Sequence, residues 1–361
     1  MEEQTEQSPT ERDSIAEWTA ELAQLLDADP VDAAAAIALH RKIADAYAET
    51  DKFGKAAEHL EQIIQLLGEQ ADTDLQRADI HHELALQYSR ALDIERAIAN
   101  GERAADLFAE HEAEHEYAKT YRRLGALYVE NGENETGIQY LETAIEWGTK
   151  TQNAADTGNA HRTLAEIYTY LNKHNDSIKH YLQAVSCYQP IAEYRAMAAC
   201  YQALARIYLQ YGKHTLAIEH YERAKNSLLE MENPYEDLGV NELLIAKIYE
   251  LKSQTDQAIS RYQYAADFFG QTPNPFEQAN AYVQIAVLYE GTKQWQAALD
   301  AYQTALPIAQ QAADELQTST IEEGIKHCQQ RQNHSTNTPD TPKNTPSKTG
   351  IWGALKKILG G

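Results

Sequence analysis

Slid against itself, the chain matches at an offset of about 40 residues, and an internal period of that size constrains the fold more than any local motif can. The stretch LGALYVENGENETGIQYLETA sets the frame with Leu124, Gly125, Tyr128, Gly132, Gly137, Leu141 and Ala144. The same places are held by Leu164, Ala165, Tyr168, Asn172, Ser177, Tyr181 and Ala184, and then by Leu204, Ala205, Tyr208, Gly212, Ala217, Tyr221 and Ala224. The frame continues through Ile245, Ala246, Tyr249, Ala258, Tyr262 and Ala265 to Ile285, Ala286, Tyr289, Ala298, Tyr302 and Ala305. Backwards it runs through Leu84, Ala85, Tyr88, Ala97 and Ala104 to Ile43, Ala44, Tyr47, Ala56 and Leu60, which makes seven units.

Each unit holds two apolar patterns of helical period separated by a polar or glycine turn, so it predicts an antiparallel helix pair. Small residues at the Ala and Gly marks let helices approach closely, and the tyrosines are expected in the core, filling the space between successive pairs. The order L-G-x-x-Y, later A, then aromatic, then A resembles the tetratricopeptide repeat, in a variant with longer helices than its 34-residue form. The resemblance covers residues 37–310 and implies an all-α, right-handed α-solenoid of about seven tetratricopeptide-like helix pairs with N- and C-terminal capping helices. Asp51, Leu92, Asn172, Ser253 and Lys293 stand where the turn favours glycine, and these departures are expected to alter turn geometry.

Composition and patterning divide the chain into a disordered acidic N-terminus (1–11), an N-terminal capping-helix region (12–36), the repeat array (37–310), a C-terminal capping helix (311–333), a flexible Asn/Thr/Pro linker (334–349) and an amphipathic tail helix (350–361). The balance of 31 Lys and Arg against 55 Asp and Glu gives a net charge of -24, which argues against nucleic acid as a partner. Three cysteines without C-x-x-C spacing suggest reduced thiols and a cytoplasmic setting. The acidic start lacks the basic and apolar regions of a signal peptide, and no apolar run is long enough to span a bilayer.

The stretch HEAEH, His111 to His115, fits the H-E-x-x-H zinc pattern, but the frame puts it between the second helix of one unit and the first helix of the next, a loop rather than a mid-helix metal site. His81 and His82 are adjacent and so lie on different helix faces, while His174, His180, His214 and His220 scatter among turns and second helices. Neither phosphate-binding glycine loop nor nucleophile elbow occurs. No catalytic, cofactor-binding or metal-ligating residue is assigned, and a zinc hydrolase is the least favoured reading.

The resemblance implies that first helices line a concave groove holding a peptide or partner helix. One inward position per unit reads Arg41, His82, Arg122, Arg162, Gln202, Leu243 and Val283, and one turn further on the row includes Arg206 and Lys247. The candidate binding residues are therefore Arg41, His82, Arg122, Arg162, Arg206 and Lys247, whose cations could hold acidic side chains or a carboxylate. The competing reading is plain surface pairing, because Arg41 with Asp45 and Arg162 with Glu166 stand at i,i+4 spacing.

In the tail IWGALKKILGG, Ile351, Trp352, Leu355, Ile358 and Leu359 fall on one helical arc with Lys356 and Lys357 opposite. An interfacial helix on anionic membrane, docking on a partner or the protein's own groove, and a silent sticky end are the three readings. Together these features describe a non-catalytic interaction scaffold, peripheral to membrane through its tail. The alternatives are a peptide-sensing regulator, or a trafficking adaptor like the soluble NSF attachment proteins, whose repeats LLIAKIYELKSQTDQAISRYQYAADFFG resembles in cadence.

Overall fold

The computed structural model describes residues 9–28, 30, 32–68 and 73–337, and among these every regular element is helical. The chain divides into two compact units, one ending at Glu232 and the other beginning at Asn233, where the period alone suggests one continuous array. The first unit holds α1 (Pro9–Leu26) followed by five helix pairs. These are α2 (Ala33–Glu49) with α3 (Phe53–Leu67), α4 (Asp74–Arg90) with α5 (Ile94–Glu110), α6 (Glu114–Glu130) with α7 (Asn134–Lys150), α8 (Ala154–Tyr170) with α9 (His174–Tyr188), and α10 (Tyr194–Gln210) with α11 (His214–Leu228). The second unit holds α12 (Tyr235–Leu251) with α13 (Thr255–Phe269), α14 (Pro275–Gly291) with α15 (Trp295–Gln311), and α16 (Glu315–Asn337). Each unit is thus an all-α solenoid of paired helices, and the pairs coincide with the seven repeats of the frame.

Two boundaries differ from expectation. Helix α1 begins at Pro9, inside the segment expected to be disordered, and α16 runs through Asn337, past the expected linker start at 334. The tail from residue 350 lies outside the described residues, and so does the amphipathic helix expected there.

Helix starts are set locally. Asp32, Asp93 and Asn153 accept a bond from the backbone N–H three residues on, at 3.0, 3.2 and 3.1 Å, satisfying donors that a helix N-terminus leaves open. The ends of the first helices share one device. In each repeat the N–H five residues beyond the frame tyrosine donates to that tyrosine's carbonyl: Lys52 to Tyr47 at 2.8 Å, Asp93 to Tyr88 at 2.9 Å, and likewise at Glu133, Lys173, Lys213, Gln254 and Gln294. This bond requires a left-handed residue just before it. Asp51, Leu92, Asn172, Ser253 and Lys293 accordingly take φ of 56 to 61°, beside 87° at Gly132 and 65° at Gly212. The expected change of turn geometry is therefore corrected: the hydrogen bond imposes the glycine conformation on side chains that disfavour it.

The alanine marks are fully buried, among them Ala56, Ala97, Ala144, Ala184, Ala217, Ala258 and Ala298. Helices α6 and α7 approach closely: a methyl placed on Gly137 would stand 2.5 Å from the Gly125 carbonyl oxygen. The second-helix tyrosines Tyr181, Tyr221, Tyr262 and Tyr302 are buried as expected. Of the frame tyrosines on first helices Tyr88 alone is, and the other six are half-buried. Several meet a ring of their own pair, Tyr47 with His59, Tyr128 with Tyr140 and Tyr208 with His220 at 5.1 to 5.7 Å, and Tyr128 also donates to Glu102 of the preceding pair.

A further contact recurs nineteen residues apart inside a pair and joins its two helices. It is His40 to His59 at 2.9 Å, His81 to Asn100 at 2.8 Å, His161 to His180 at 3.0 Å, and Arg261 to Glu242 at 3.1 Å. At the same places Tyr121 meets Tyr140 and Tyr201 meets His220 through their rings. Of the second-helix histidines, His180 and His220 each have a first-helix counterpart in this contact.

Candidate functional site: the face of the first helices

The inner row of the first unit sits on α2, α4, α6, α8 and α10, with each member half-buried except Arg206, which is exposed. Helix α6 packs against α8 as well as against its own partner α7, so these two first helices meet on this side. Lys247 belongs to the second unit, where it is an exposed residue of α12.

Three members of the row are neutralised or neutral. Arg41 pairs with Glu83 of the next repeat instead of with Asp45 of its own helix. Arg162 does pair with Glu166 at 2.8 Å, the surface pairing its spacing suggested. His82 is no cation at neutral pH: burial, and then the nearby charges of Arg123, Arg122 and Lys119, push its pKa down to about 3. Its Nδ1 instead meets the Thr120 hydroxyl at 3.1 Å.

Arg122 is different. Among the described residues it makes no ion pair or hydrogen bond, and burial followed by the Arg162 charge lowers its pKa. Its neighbour Arg123, absent from the candidate row, shares this condition more acutely. Burial, then Arg122 and Arg90, push Arg123 down to about 10, and its Nη1 is buried with no hydrogen-bond partner. Adjacent helical residues ordinarily diverge, so spacing alone marks one inward-facing position per repeat. A signal was nevertheless present, because the frame places Thr163 and Ala203 at the same position in later repeats and both are buried.

The HEAEH stretch lies where the frame puts it. Helix α5 ends at Glu110, Glu112 takes φ of 53°, and α6 starts at Glu114. His111 Nε2 is 3.2 Å from Asp74 Oδ2, and the His115 side chain lies outside the described residues. Among the described residues no three His, Cys, Asp or Glu side chains are grouped to hold a metal ion, and no helix is long and apolar enough to cross a membrane. The tail residues Ile351, Trp352, Leu355, Lys356, Lys357, Ile358 and Leu359 all fall outside them.

The sequence model of the tetratricopeptide repeat matches residues 116–189 and 156–230. Among solved structures, the chain is similar to a signal transduction ATPase with numerous domains carrying a tetratricopeptide repeat sensor, from Pyrococcus horikoshii. There the identity is 15% and the TM-score 0.53, over 98% of this chain and 55% of that one, so the chain spans about half of that protein. It is also similar to the apo form of RapI, with 10% identity and a TM-score of 0.52 over 81% of this chain and 99% of that one. At such identities these likenesses show the fold alone. No curated protein matches the sequence.

Proposed function

We propose that this chain, a tetratricopeptide-repeat protein through the residues that match the family's model, is a non-catalytic scaffold that holds an acidic peptide or partner segment on the first-helix face of its N-terminal unit. Arg122 carries the reading: a half-buried guanidinium without a carboxylate partner among the described residues, on a solvent-reachable face, in a protein of net charge -24. A desolvated cation left unpaired costs stability, and an incoming carboxylate relieves that cost with charge-assisted hydrogen bonds. The test is fluorescence anisotropy of labelled Glu-rich, Ser-rich and Lys-rich peptides on the full chain. Glu-rich peptides should bind, and Arg122→Glu with Arg162→Glu should weaken them by roughly 2 to 5 kcal/mol while the circular dichroism stays unchanged. Equal binding by the folded variant, or no charge preference among the peptides, would sink the reading.

The tail supports a second role, reversible attachment to an anionic membrane, on the strength of its apolar arc and lysines alone. The repulsion felt by the acidic body is screened within roughly 8 Å at physiological salt, a shorter distance than the linker can span. Flotation with anionic but not neutral liposomes, lost at high salt and in Trp352→Glu with Leu355→Glu, is the expected result. A variant that floats as well as the parent would remove this role.

A further inference from the structure

Every second helix buries the same three frame positions. In α3 they are Ala56, Leu60 and Ile63, in α5 Ala97, Gly101 and Ala104, and in α7 Gly137, Leu141 and Ala144. The corresponding residues of α9, α11, α13 and α15 are buried as well. First helices cover them. A methyl on Gly137 would meet Gly125 of α6, and one on Gly101 would stand 2.7 Å from Leu124 of α6 and 3.9 Å from Ala85 of α4.

Carried back one more period, the frame falls on Ala16, Ala20 and Ala23 of α1, and there all three are exposed. Helix α1 packs through a different stripe, setting Ile15, Trp18, Leu22 and Leu25 against Leu39 and Ile43 of α2. Its alanine stripe is left along an open groove of about 610 Å³, whose other wall is Tyr47, Lys52 and Lys55. The Lys55 ammonium lies 5.4 Å from the Tyr47 ring centre, and among the described residues neither lysine has an ion-pair partner.

We propose that this groove docks an amphipathic helix of a partner protein, with small and aliphatic residues on its apolar stripe and carboxylates on the flank beside Lys52 and Lys55. The surface stands apart from the row around Arg122 and does not depend on the reading given for that row. In each of the seven hairpins a helix lies on these frame positions, and small residues admit its backbone at close range, as Gly137 admits Gly125. Charge selects the occupant: two unpaired lysines in a protein of net charge -24 favour an acidic segment. The chain's own tail would bring Lys356 and Lys357 against them. A second copy docked antiparallel through the same stripe would set its lysine flank against this one.

The experiment uses the full chain and two synthetic 17-residue helices carrying the L-A-x-x-Y stripe of this chain's first helices, one flanked by glutamates and the other by lysines. By calorimetry the glutamate-flanked helix should bind at least roughly tenfold more tightly than the lysine-flanked one. Lys52→Glu with Lys55→Glu should reverse that preference. Ala16→Lys with Ala20→Lys obstructs the stripe with long side chains while adding charge that attracts glutamates, and it should lose binding all the same. Both alanines are exposed, so this variant should melt as the parent does. Arg122→Glu with Arg162→Glu should leave the affinity unchanged.

Binding of neither helix, or of both equally, overturns the proposal. Undiminished binding by the Ala16→Lys, Ala20→Lys variant overturns it too, because charge alone would then account for the effect. A loss of binding in the Arg122→Glu, Arg162→Glu variant would move the site to the first-helix face. A parent chain that sediments as a dimer, and as a monomer with Ala16→Lys and Ala20→Lys, would give the groove to a second copy and overturn the partner helix.

Discussion

The Nδ1 atoms of His161 on α8 and His180 on α9 stand 3.0 Å apart, so one ring must donate its proton and the other must accept it. The pair tolerates one added proton but not two. Burial, then His180 and Lys179, push His161 down to about 4. Burial also lowers His180, joined by Lys179 and opposed by Asp176. His40 and His59 repeat the arrangement at 2.9 Å, with both pKa values lowered mainly by burial.

A histidine depressed in the fold binds fewer protons there than in the unfolded chain. Its neutral form supports full stability above the unfolded value of 6.5, and stability falls as pH drops from there toward about 4. The Tm should therefore decline between pH 6.5 and 5, before most carboxylates titrate. His161→Tyr with His180→Tyr, which copies the Tyr121 and Tyr140 contact, should flatten that decline. Identical pH profiles for parent and variant would refute it.

Gly137→Ala should destabilise the first unit by about 1 to 3 kcal/mol, because the new methyl would meet the Gly125 carbonyl oxygen at 2.5 Å and Val129 Cγ2 at 2.6 Å. Urea unfolding measures it. Gly54→Ala is the control, since nothing lies within 4 Å of its added methyl and helix propensity alone should leave it neutral or slightly stabilising.

Leu92 is 85% exposed and held at φ of 61°, so its side chain contributes no packing and bears the full cost of the left-handed conformation. Leu92→Gly removes that cost of about 1 to 2 kcal/mol and incurs about 0.5 to 1 kcal/mol of extra unfolded-state entropy. The variant should gain roughly 0.5 to 1 kcal/mol by difference. A lower denaturation midpoint would contradict it.

The repeat frame made the helix pairs legible because their packing depends on side-chain size at fixed spacing, as Ala144, Ala184 and Ala224 show by being fully buried. The turn geometry was not legible, because a main-chain bond to the frame tyrosine sets it and residue type at Leu92 or Lys293 does not. At the candidate face, spacing placed Arg122 and Arg162 on α6 and α8 but could not show that His82 is neutral, because burial and then Arg123 from a different helix set its protonation. It also missed Arg41's true partner, 42 residues away in sequence.

The Glu242 side chain is wholly buried and meets Arg261 at 3.1 Å. Arg261→Met should cost about 3 to 5 kcal/mol by removing a guanidinium partner of that buried carboxylate, and adding Glu242→Leu should recover most of the loss. A double variant as unstable as the single one would show that the ion pair is not what holds α12 to α13.

Chains built of similar hairpins risk pairing a helix with the wrong copy while they fold, and near-identical partners make such errors hard to undo. The nineteen-residue contact distinguishes the copies here. A first helix bearing Glu242 that lay against the second helix bearing His59 would bury a carboxylate without its guanidinium, and one bearing Tyr121 laid against Arg261 would offer the arginine no carboxylate. The contact therefore serves as a key of several kinds, the same in the two histidine hairpins and different in the others, so most repeats that look interchangeable by their alanines and tyrosines are not exchangeable in assembly.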